Sequence, residues 1–379
     1  MLKLGDKSIL SALGINSGTS ADGLDLALVR FEEKKKPVVL SQTGFNYPRS
    51  ISKRIIRAAE NDFVDGVEWL RLDRDLGMIT GRLAERFVRD ARRDGLKIDI
   101  IGSHGQTIRH LPDDSPAPLT LQIGDPAIIA RITGLPVVAD FRRSDIAAGG
   151  EGAPLSPVLH EYLFRDRRKW RAIVNIGGIA NITIVPPSKS NRLPLAGDCG
   201  PGNMLIDSTM RQLFGVQLDK DGKTASMGES VSAVVNEVLA NPFFARRPPK
   251  STGRELFGRS FLEHVLRLLK GRSKYDIVTT VTEITAAAII DFIRRFGHNV
   301  EEVYLCGGGS KNMYIVKRLR SLSKTRIIET TATLGYDPDY LEALLWAYLA
   351  CLFVREKPIE MRHFTGARAS YIPGKLCQP

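Results

Sequence analysis

The chain has 379 residues, of which 43% are hydrophobic and 25% are charged. This composition is ordinary for a globular protein, and the length is sufficient for two domains that each bury a core. No apolar run reaches membrane-spanning length, and the N-terminus lacks the long apolar region of a signal peptide. These features argue against a transmembrane protein and predict a cytoplasmic protein without a membrane partner.

The formal net charge is +12, and such an excess of Lys and Arg can neutralise the phosphates of nucleic acid. The basic residues nevertheless form short, scattered clusters without interleaved aromatic residues, which is typical of solvated faces. We therefore expect no nucleic-acid partner, although a basic bias suits small anionic molecules. The four cysteines are far apart and form no CxxC pair, which argues against a zinc site or a disulfide framework.

The first motif in chain order is GINSGTSADGLDLALVRF, residues 14–31. Its small and hydroxylated residues precede apolar residues that alternate at period two, which predicts a strand, a tight loop and a returning strand. Such a loop can turn backbone N–H groups and the hydroxyls of Ser17, Thr19 and Ser20 toward one point, which suits a phosphate. A glycine and serine hairpin without any ligand is the alternative.

Helical spacing predicts surface helices over residues 51–60 and 67–93. An apolar strand over residues 97–102 then leads into the sequence SHGQT, which contains His104 and Gln106. A histidine at the end of a strand, followed by glycine, fits either a catalytic residue or a side chain that is merely held by hydrogen bonds.

A charged and glycine-rich stretch follows the next two predicted strands, residues 119–123 and 136–139. It begins with DFRRSD and continues with AAGGEG. Asp140, Arg142 and Asp145 could form a structural ion-pair cluster. Because α/β proteins place ligands after strand ends, and because the glycines indicate a loop that fits closely around something, we favour a substrate site.

The pattern of strand, glycine turn and strand recurs at AIVNIGGIANITIV, residues 172–185. A third glycine cluster, LCGGGSKN over residues 305–312, follows an apolar strand and precedes a helical pattern. These are the parts of a duplicated nucleotide clamp, in which each half offers a hairpin to the phosphates and the third cluster lets the backbone pass close to a nucleoside. The arrangement resembles the sugar kinase, Hsp70 and actin superfamily.

That resemblance implies an α/β protein with the two-lobed actin-like ATPase (ribonuclease H-like) fold, with duplicated mixed-sheet lobes and a central cleft. We expect residues 1–138 and about 357–379 in the first lobe and residues 139–356 in the second. Further helices are predicted over residues 126–133, 229–243, 261–270, 277–296 and 338–354, and a strand over residues 326–329. In the last helix, Pro338 fits the first turn and Asp337 fits a cap.

Seven motifs, in this order and over nearly the whole chain, resemble those of the anhydro-N-acetylmuramic acid kinase family. They are SGTSADGLD (17–25), SHGQT (103–107), DFRRSDIAAGGEGAPL (140–155), NIGGIANIT (175–183), DCGPGNMLID (198–207), KSTGRELF (250–257) and TGARA (365–369). The resemblance implies a kinase that uses ATP and Mg²⁺ in cell-wall recycling. Water opens the 1,6-anhydro ring of the sugar while its O6 accepts the γ-phosphoryl group, which gives N-acetylmuramic acid 6-phosphate.

By this resemblance, Asp198 is the base that activates the water, since it occupies the catalytic position before GPGN. Its alternative role is an N-cap-like carboxylate that orders the GPGN turn. Asp22 is expected to organise Mg²⁺ through water, or else to close its own loop by an Asx turn. Glu342 carries a carboxylate into an apolar helix and is expected near the active site; the alternative is an ion pair with a neighbouring Arg.

The remaining expected site residues form two groups. ATP and its phosphates are expected to contact Ser17, Gly18, Thr19, Ser20, Ala21, Asp22, Gly23, Leu24, Asp25, Asn175, Gly177, Gly178, Gly307, Gly308, Gly309 and Asn312. The anhydrosugar is expected to contact His104, Gln106, Asp140, Arg142, Gly202, Asn203 and Glu342. Because the family commonly forms dimers, a homodimer is also expected.

Two residues depart from the pattern of the family. Asn16 stands where Met is usual, and Glu151 stands where Gln is usual. Glu151 adds a negative charge near the expected sugar site, so a levoglucosan-type kinase, acting on an anhydrosugar without the N-acetyl and lactyl groups, is an alternative. An ATPase of the Hsp70 or actin type with a protein partner is an alternative of another class. The DFRRSD and GEGAPL stretch disfavours it, because a peptide or polymer binder needs no such charged pocket.

Overall fold

The computed structural model describes residues 7–18, 21–60, 65–112, 116–297, 299–325 and 327–379. The chain divides into two compact units. Unit 1 comprises Met1–Leu159 and Tyr340–Pro379, and unit 2 comprises His160–Asp339. Within the described ranges, no helix is long and apolar enough to cross a membrane.

The elements of the first part of unit 1 are β1 (Ile9–Ser17), β2 (Gly23–Glu32), β3 (Val38–Asn46), α1 (Arg49–Glu60), α2 (Gly66–Arg93), β4 (Ile100–Leu111), β5 (Leu119–Ile123), α3 (Pro126–Thr133), β6 (Val137–Ala139), α4 (Phe141–Ala147) and α5 (Ser156–Phe164), the last of which continues into unit 2. Unit 2 contains β7 (Trp170–Ile176), β8 (Ile179–Val185), β9 (Leu195–Pro201), α6 (Asn203–Phe214), α7 (Ser232–Leu239), α8 (Pro242–Ala245), α9 (Arg254–Phe257), α10 (Arg259–Leu268), α11 (Lys274–Phe296), β10 (Val300–Cys306), α12 (Met313–Leu322) and β11 (Ile327–Thr330). Unit 1 ends with α13 (Leu341–Val354), α14 (Arg362–Thr365) and β12 (Lys375–Cys377).

The two units repeat one strand arrangement. The sheet of unit 1 has the order β12-β6-β4-β1-β2-β3, with β5 paired to β4, and the sheet of unit 2 has the order β11-β10-β7-β8-β9. In each sheet three consecutive strands form an antiparallel meander, and the next two strands of the path run parallel to its first strand. The predicted fold class, an α/β protein of the ribonuclease H-like type with duplicated mixed sheets, is confirmed.

Each unit has its own apolar core. In unit 1, β1 lies between β2 and β4, and its side chains from Leu10 to Ser17 are all buried. In unit 2, the long helix α11 supplies much of the core that packs on β7 and β8. Both strands of the first hairpin are therefore fixed by burial, up to Ser17 at the end of β1.

Helix α13 packs directly on the centre of the unit 1 sheet. A Cβ atom added to Gly14 on β1 would lie 1.7 Å from the carbonyl oxygen of Ala343, and one added to Gly102 on β4 would lie 2.1 Å from that of Trp346. Two glycines on adjacent strands thus let the helix backbone approach the sheet. The helix belongs to unit 1 for this reason.

The predicted domain boundaries therefore differ from the observed division. Residue 138 lies within β6, and residue 356 follows α13, so both predicted boundaries fall inside unit 1. The difference arises because β6 pairs with β4, and α13 packs on β1. Neither long-range contact leaves a local signal in the sequence.

We expect Gly14→Ala to destabilise the protein. The added methyl group would overlap the backbone of α13, and relieving such an overlap costs about 1 to 3 kcal/mol. Gly66→Ala, at the start of α2, is the matched control, because nothing lies within 4 Å of its added Cβ atom. Unfolding in denaturant measures both variants, and equal midpoints for them would contradict this account of the packing.

Most of the predicted elements are confirmed with shifts of a few residues, and three need correction. Strand β4 begins at Ile100 and includes SHGQT, which we predicted to follow the strand. The predicted helix 229–243 is two helices, because Asn241 caps α8 and Pro242 occupies its first turn. Helix α13 begins only at Leu341, since Asp337 accepts a hydrogen bond from the Asp339 backbone and forms a turn there. Arg326, the first residue of the predicted strand 326–329, lies outside the described residues.

Candidate functional site

The loop between β1 and β2 is braced from below by buried polar side chains. The Ser17 hydroxyl lies 2.6 Å from Oε1 of Gln106 and 2.9 Å from the hydroxyl of Tyr47. Nε2 of Gln106 donates to the carbonyl oxygen of Gly18 at 3.1 Å. Burial raises the pKa of Tyr47 to about 12, so its hydroxyl keeps its proton. Ser17 and Gln106 thus hold the base of the loop.

The backbone is tightly constrained at Ala21 and Gly23. Ala21 adopts a left-handed φ of 54°, and its N–H donates to the carbonyl oxygen of Gly18. A Cβ atom on Gly23 would lie 2.1 Å from the carbonyl oxygen of Phe45. Asp22 is exposed and Asp25 half-buried, whereas the Leu24 side chain belongs to the core and leaves only its backbone for a ligand. The predicted contacts at Thr19 and Ser20 lie outside the described residues.

The buried His104 and the half-buried Arg142 form a hydrogen-bonded pair in unit 1. Nε of Arg142 donates to Nε2 of His104 at 2.9 Å, and Nη1 of Arg142 donates to the carbonyl oxygen of Gly152 at 3.2 Å. Burial, followed by the charge of Arg142, lowers the pKa of His104 well below its ordinary value, so the imidazole is neutral. A neutral ring that accepts at Nε2 carries its proton on Nδ1.

The predicted alternative of an ion-pair cluster does not describe Arg142. Asp140 pairs with Arg143 and Lys375. Asp145 is fully buried and accepts hydrogen bonds from the Gly152 backbone and from the hydroxyls of Thr365 and Tyr371. Among the residues that the structure describes, neither carboxylate pairs with Arg142, and Nη2 of Arg142 makes no hydrogen bond. The guanidinium is therefore oriented by its other nitrogens and leaves Nη2 for a ligand.

Two residues that the sequence did not indicate connect this pair to Glu342. The Trp346 ring stacks on His104 with 4.2 Å between ring centroids, and its Nε1 donates to Oδ1 of Asn16 at 2.9 Å. Nδ2 of Asn16 in turn donates to Oε2 of Glu342 at 2.9 Å. Trp346 lies four positions after Glu342 on α13, so both occupy one helix face; that spacing was the signal available in the sequence.

A pocket of about 400 Å³ lies beside these residues in unit 1. Its lining includes two predicted substrate residues, His104 and Asp140, together with Trp69, Arg143 and Lys375, which were not predicted. Among these lining residues, Asp140 forms ion pairs with both Arg143 and Lys375. This part of unit 1 thus offers both an aromatic surface and polar groups, which is a typical lining for a small-molecule site.

In unit 2, Asp198 is hydrogen-bonded to the backbone of the segment 250–252. Its Oδ2 accepts from the Thr252 N–H at 2.8 Å, and its own N–H donates to the carbonyl oxygen of Lys250 at 2.9 Å. Asp198 lies within β9, and the residue before α6 is Gly202. The N-cap of α6 is thus Gly202, and Oδ2 of Asp198 bonds to the 250–252 segment; the two predicted roles of this carboxylate stay predictions.

Lys250 anchors that segment. It is only 4% exposed, and its Nζ donates to the carbonyl oxygens of Phe243 and Phe244 and lies 4.4 Å from the centre of the Phe243 ring. Burial lowers its pKa to about 8. The backbone that orients the Asp198 carboxylate is thus fixed by a buried ammonium group with two carbonyl partners and an aromatic contact.

The turn of the second glycine hairpin is hydrogen-bonded to the GPGN turn. The Asn203 N–H donates to the carbonyl oxygen of Gly177 at 2.7 Å, and the Gly202 N–H donates to that of Gly178 at 2.9 Å. The Asn203 side chain adds a hydrogen bond to the carbonyl oxygen of Ile176. A Cβ atom on Gly202 would lie 2.3 Å from the carbonyl oxygen of Gly177, so this contact requires glycine.

The third glycine cluster packs on the same hairpin. Gly307 has a φ of 75°, and an added Cβ atom would lie 2.2 Å from Oδ1 of Asn175. Gly309 has no space for a Cβ atom beside Ile176, whereas Gly308 is exposed. Asn312 caps α12 by accepting hydrogen bonds from two backbone N–H groups at 3.1 Å, so its oxygen already has a structural role.

Asp207 on α6 is a carboxyl group whose charge is disfavoured. Burial raises its pKa from 3.8 to about 6, and Arg211 opposes the shift only in part. The folded state binds this proton more tightly than the unfolded state, so the stability penalty is absent below about pH 4 and grows as the pH rises through about 6. After discounting for partial exposure, we expect Asp207→Asn to stabilise the protein by about 1 kcal/mol at pH 8.

Denaturant unfolding of Asp207→Asn at pH 4 and pH 8 measures this effect. Asp276→Asn is the control, and its effect on stability should have the opposite sign. The backbone N–H of Glu229 bonds to the Asp276 carboxylate and lowers its pKa. A gain in stability for Asp207→Asn that is equal at both pH values would contradict the expected origin in charge burial.

Comparison with known proteins gives concordant matches. The model of the anhydro-N-acetylmuramic acid kinase family matches residues 11–378. The chain is 40% identical over 366 residues to an anhydro-N-acetylmuramic acid kinase of Coxiella burnetii (strain RSA 493 / Nine Mile phase I), covering 96% of each chain. It is 38% identical over 378 residues to one of Bacillus cereus (strain ZK / E33L), covering 97% of this chain and 98% of the relative. A solved ROK family glucokinase from Streptomyces griseus aligns with a TM-score of 0.38 and 11% identity, over 90% of this chain and 99% of that one.

Proposed function

The chain belongs to the anhydro-N-acetylmuramic acid kinase family, and we propose that it opens and phosphorylates anhydro-N-acetylmuramic acid with ATP. In this reaction the oxygen of water bonds to C1 of the sugar and the bond from C1 to O6 breaks. O6 takes the γ-phosphoryl group, ADP leaves, and the water proton passes to a base. The product is N-acetylmuramic acid 6-phosphate, which would return a cell-wall sugar to metabolism.

The observation that carries the proposal is the setting of Asp198. A base must be held at a fixed orientation, and the Thr252 N–H fixes one oxygen of this carboxylate while Lys250 anchors the segment that supplies the N–H. A carboxylate in its ionised form can accept the proton of a water molecule, which is the chemistry that the ring opening requires.

The glycine turns are proposed to serve the nucleotide. ATP supplies the phosphoryl group. Gly177 and Gly308 have no side chains, so the backbone of these turns is proposed to lie close to the nucleotide. Asp22 is an exposed carboxylate, and the described residues include no cluster of three or more potential metal ligands. This suits Mg²⁺, which keeps much of its water shell and is typically held by one or two carboxylates and the phosphates, whose charge it offsets.

The sugar is proposed to bind at the polar groups of unit 1. Nη2 of Arg142 is suited to the lactyl carboxylate, since a guanidinium fixed at two nitrogens loses little freedom on binding. His104 holds this guanidinium, and Glu342 offers a carboxylate to a sugar hydroxyl. Gln106 is proposed to act indirectly, because its amide already holds the loop at Ser17 and Gly18.

The test is to incubate the protein with MgATP and anhydro-N-acetylmuramic acid in heavy-oxygen water. We expect ADP and a phosphorylated sugar with one heavy oxygen at C1. Parallel reactions contain levoglucosan or no sugar. Faster turnover of levoglucosan would instead support the levoglucosan-type kinase, and ATP hydrolysis that no sugar stimulates would support an ATPase of the Hsp70 or actin type.

A further inference from the structure

Asn16 is almost completely buried, at 4% exposure, at the end of β1. Both ends of its amide are used: Nδ2 donates to Glu342 and Oδ1 accepts from Trp346, each at 2.9 Å. A buried amide that makes two hydrogen bonds to one helix fixes the rotation of that helix relative to the strand. The two helix residues are four positions apart on α13, so one amide sets the orientation of this whole face.

The two partners of Asn16 lead to the two charged groups proposed to face the sugar. Glu342 accepts a hydrogen bond from Asn16 itself. Arg142 is connected through two further residues. Trp346 donates to Asn16 and stacks on His104, and His104 accepts a hydrogen bond from Arg142. Burial lowers the pKa of Arg142, and the charge of Glu342 opposes that shift, so the two groups are close enough to interact electrostatically.

We infer that Asn16 is a positioning residue for the sugar, which sets the Glu342 carboxylate directly and the Arg142 guanidinium through Trp346 and His104. An amide is suited to this role because it donates to a carboxylate at one end and accepts from an indole at the other. An apolar side chain of similar size could do neither. This inference rests on the proposed function, since it names a further residue of the same site.

The experiment is a double-mutant cycle with Asn16→Asp, Glu342→Gln and the double variant. Asn16→Asp keeps the acceptor for Trp346 but sets a carboxylate against Glu342 in place of a donor. We expect it to raise KM for anhydro-N-acetylmuramic acid by ~10-fold or more, with KM for ATP nearly unchanged. In the double variant, the Gln at position 342 can donate to the Asp at position 16, which restores the hydrogen bond with the roles reversed.

The unfolding midpoints of the four proteins measure the hydrogen bond without any substrate. We expect the double variant to unfold at a higher denaturant concentration than Asn16→Asp alone. Trp346→Phe, which keeps an aromatic ring but removes the indole N–H, should also raise KM for the sugar. Ser11→Ala, at a buried position on the same strand, is the control and should leave both constants unchanged.

The outcomes separate the inference from the proposed function. A parent protein that leaves the sugar unchanged would overturn the proposed function, and the inference with it. An active parent, with additive effects of the two single substitutions or with equal changes of KM for sugar and ATP, would overturn the inference alone.

Discussion

Asp198→Asn is expected to lower kcat by a factor of ~10² or more, because the amide cannot accept the proton of the attacking water. Asn has the same shape as Asp, and its side-chain oxygen can still accept the Thr252 N–H that holds the carboxylate. The substitution should therefore leave the backbone around β9 in place. We expect binding of ATP and of the sugar, measured by calorimetry, to be retained while turnover is lost.

The size of this effect distinguishes the base from a structural carboxylate. Asp221→Asn, which removes an exposed ion pair with Lys223 in unit 2, is the control and should stay close to the parent. If the kcat of the Asp198→Asn variant is within a few-fold of the parent value, Asp198 is not the base. If it is inactive and also fails to bind the sugar, the carboxylate contributes to binding and the assignment of a purely catalytic role is wrong.

The parts of this fold that the sequence predicts are those with local signals. Each hairpin has apolar residues at period two on both sides of a glycine turn, and the two hairpins repeat with the same order of elements. Together with the third glycine cluster after an apolar strand, the two similar hairpins indicated the duplication.

The parts that could not be predicted depend on contacts between distant segments. Gln106 was expected to touch the sugar, which stays a prediction, whereas the bonds of its amide to Ser17 and Gly18, far away in the sequence, were not predicted. Asp145 was considered as a partner of Arg142 in an ion-pair cluster, whereas its carboxylate accepts hydrogen bonds from the Gly152 backbone and from residues near the C-terminus. Residue types indicate which groups can bond, whereas the choice of partner is decided by the packing of the whole unit.

The contacts of Asn16 are a further example of what the sequence could not predict. The sequence marked this residue only as a departure from the pattern of the family. The structure gives it two buried hydrogen bonds to α13, a helix more than three hundred residues later in the chain. A single unusual residue in a motif can thus reflect an interaction with a distant element, which no inspection of the motif itself would reveal.

Arg142→Lys is expected to weaken recognition of anhydro-N-acetylmuramic acid. Arg142 uses Nε for His104 and Nη1 for the carbonyl oxygen of Gly152, and the proposed function assigns Nη2 to the lactyl carboxylate. A lysine ammonium is a compact charge on a flexible stem and cannot reproduce this planar arrangement. A hydrogen bond to a charged group contributes roughly 1.5 to 3 kcal/mol, so we expect kcat/KM for the sugar to fall by ~10-fold to ~100-fold.

The loss should appear in KM for the muramic substrate and leave KM for ATP nearly unchanged, since no phosphate contact is assigned to Arg142. Arg131→Lys, at an exposed position on α3, is the matched control and should behave as the parent. Levoglucosan has no carboxylate, so any turnover of this sugar should be almost insensitive to Arg142→Lys. The parent could instead prefer levoglucosan, and Arg142→Lys could lower kcat/KM equally for both sugars. In that case Arg142 does not bind the lactyl group. Glu151, whose carboxylate could cause that preference, is then the first residue to test.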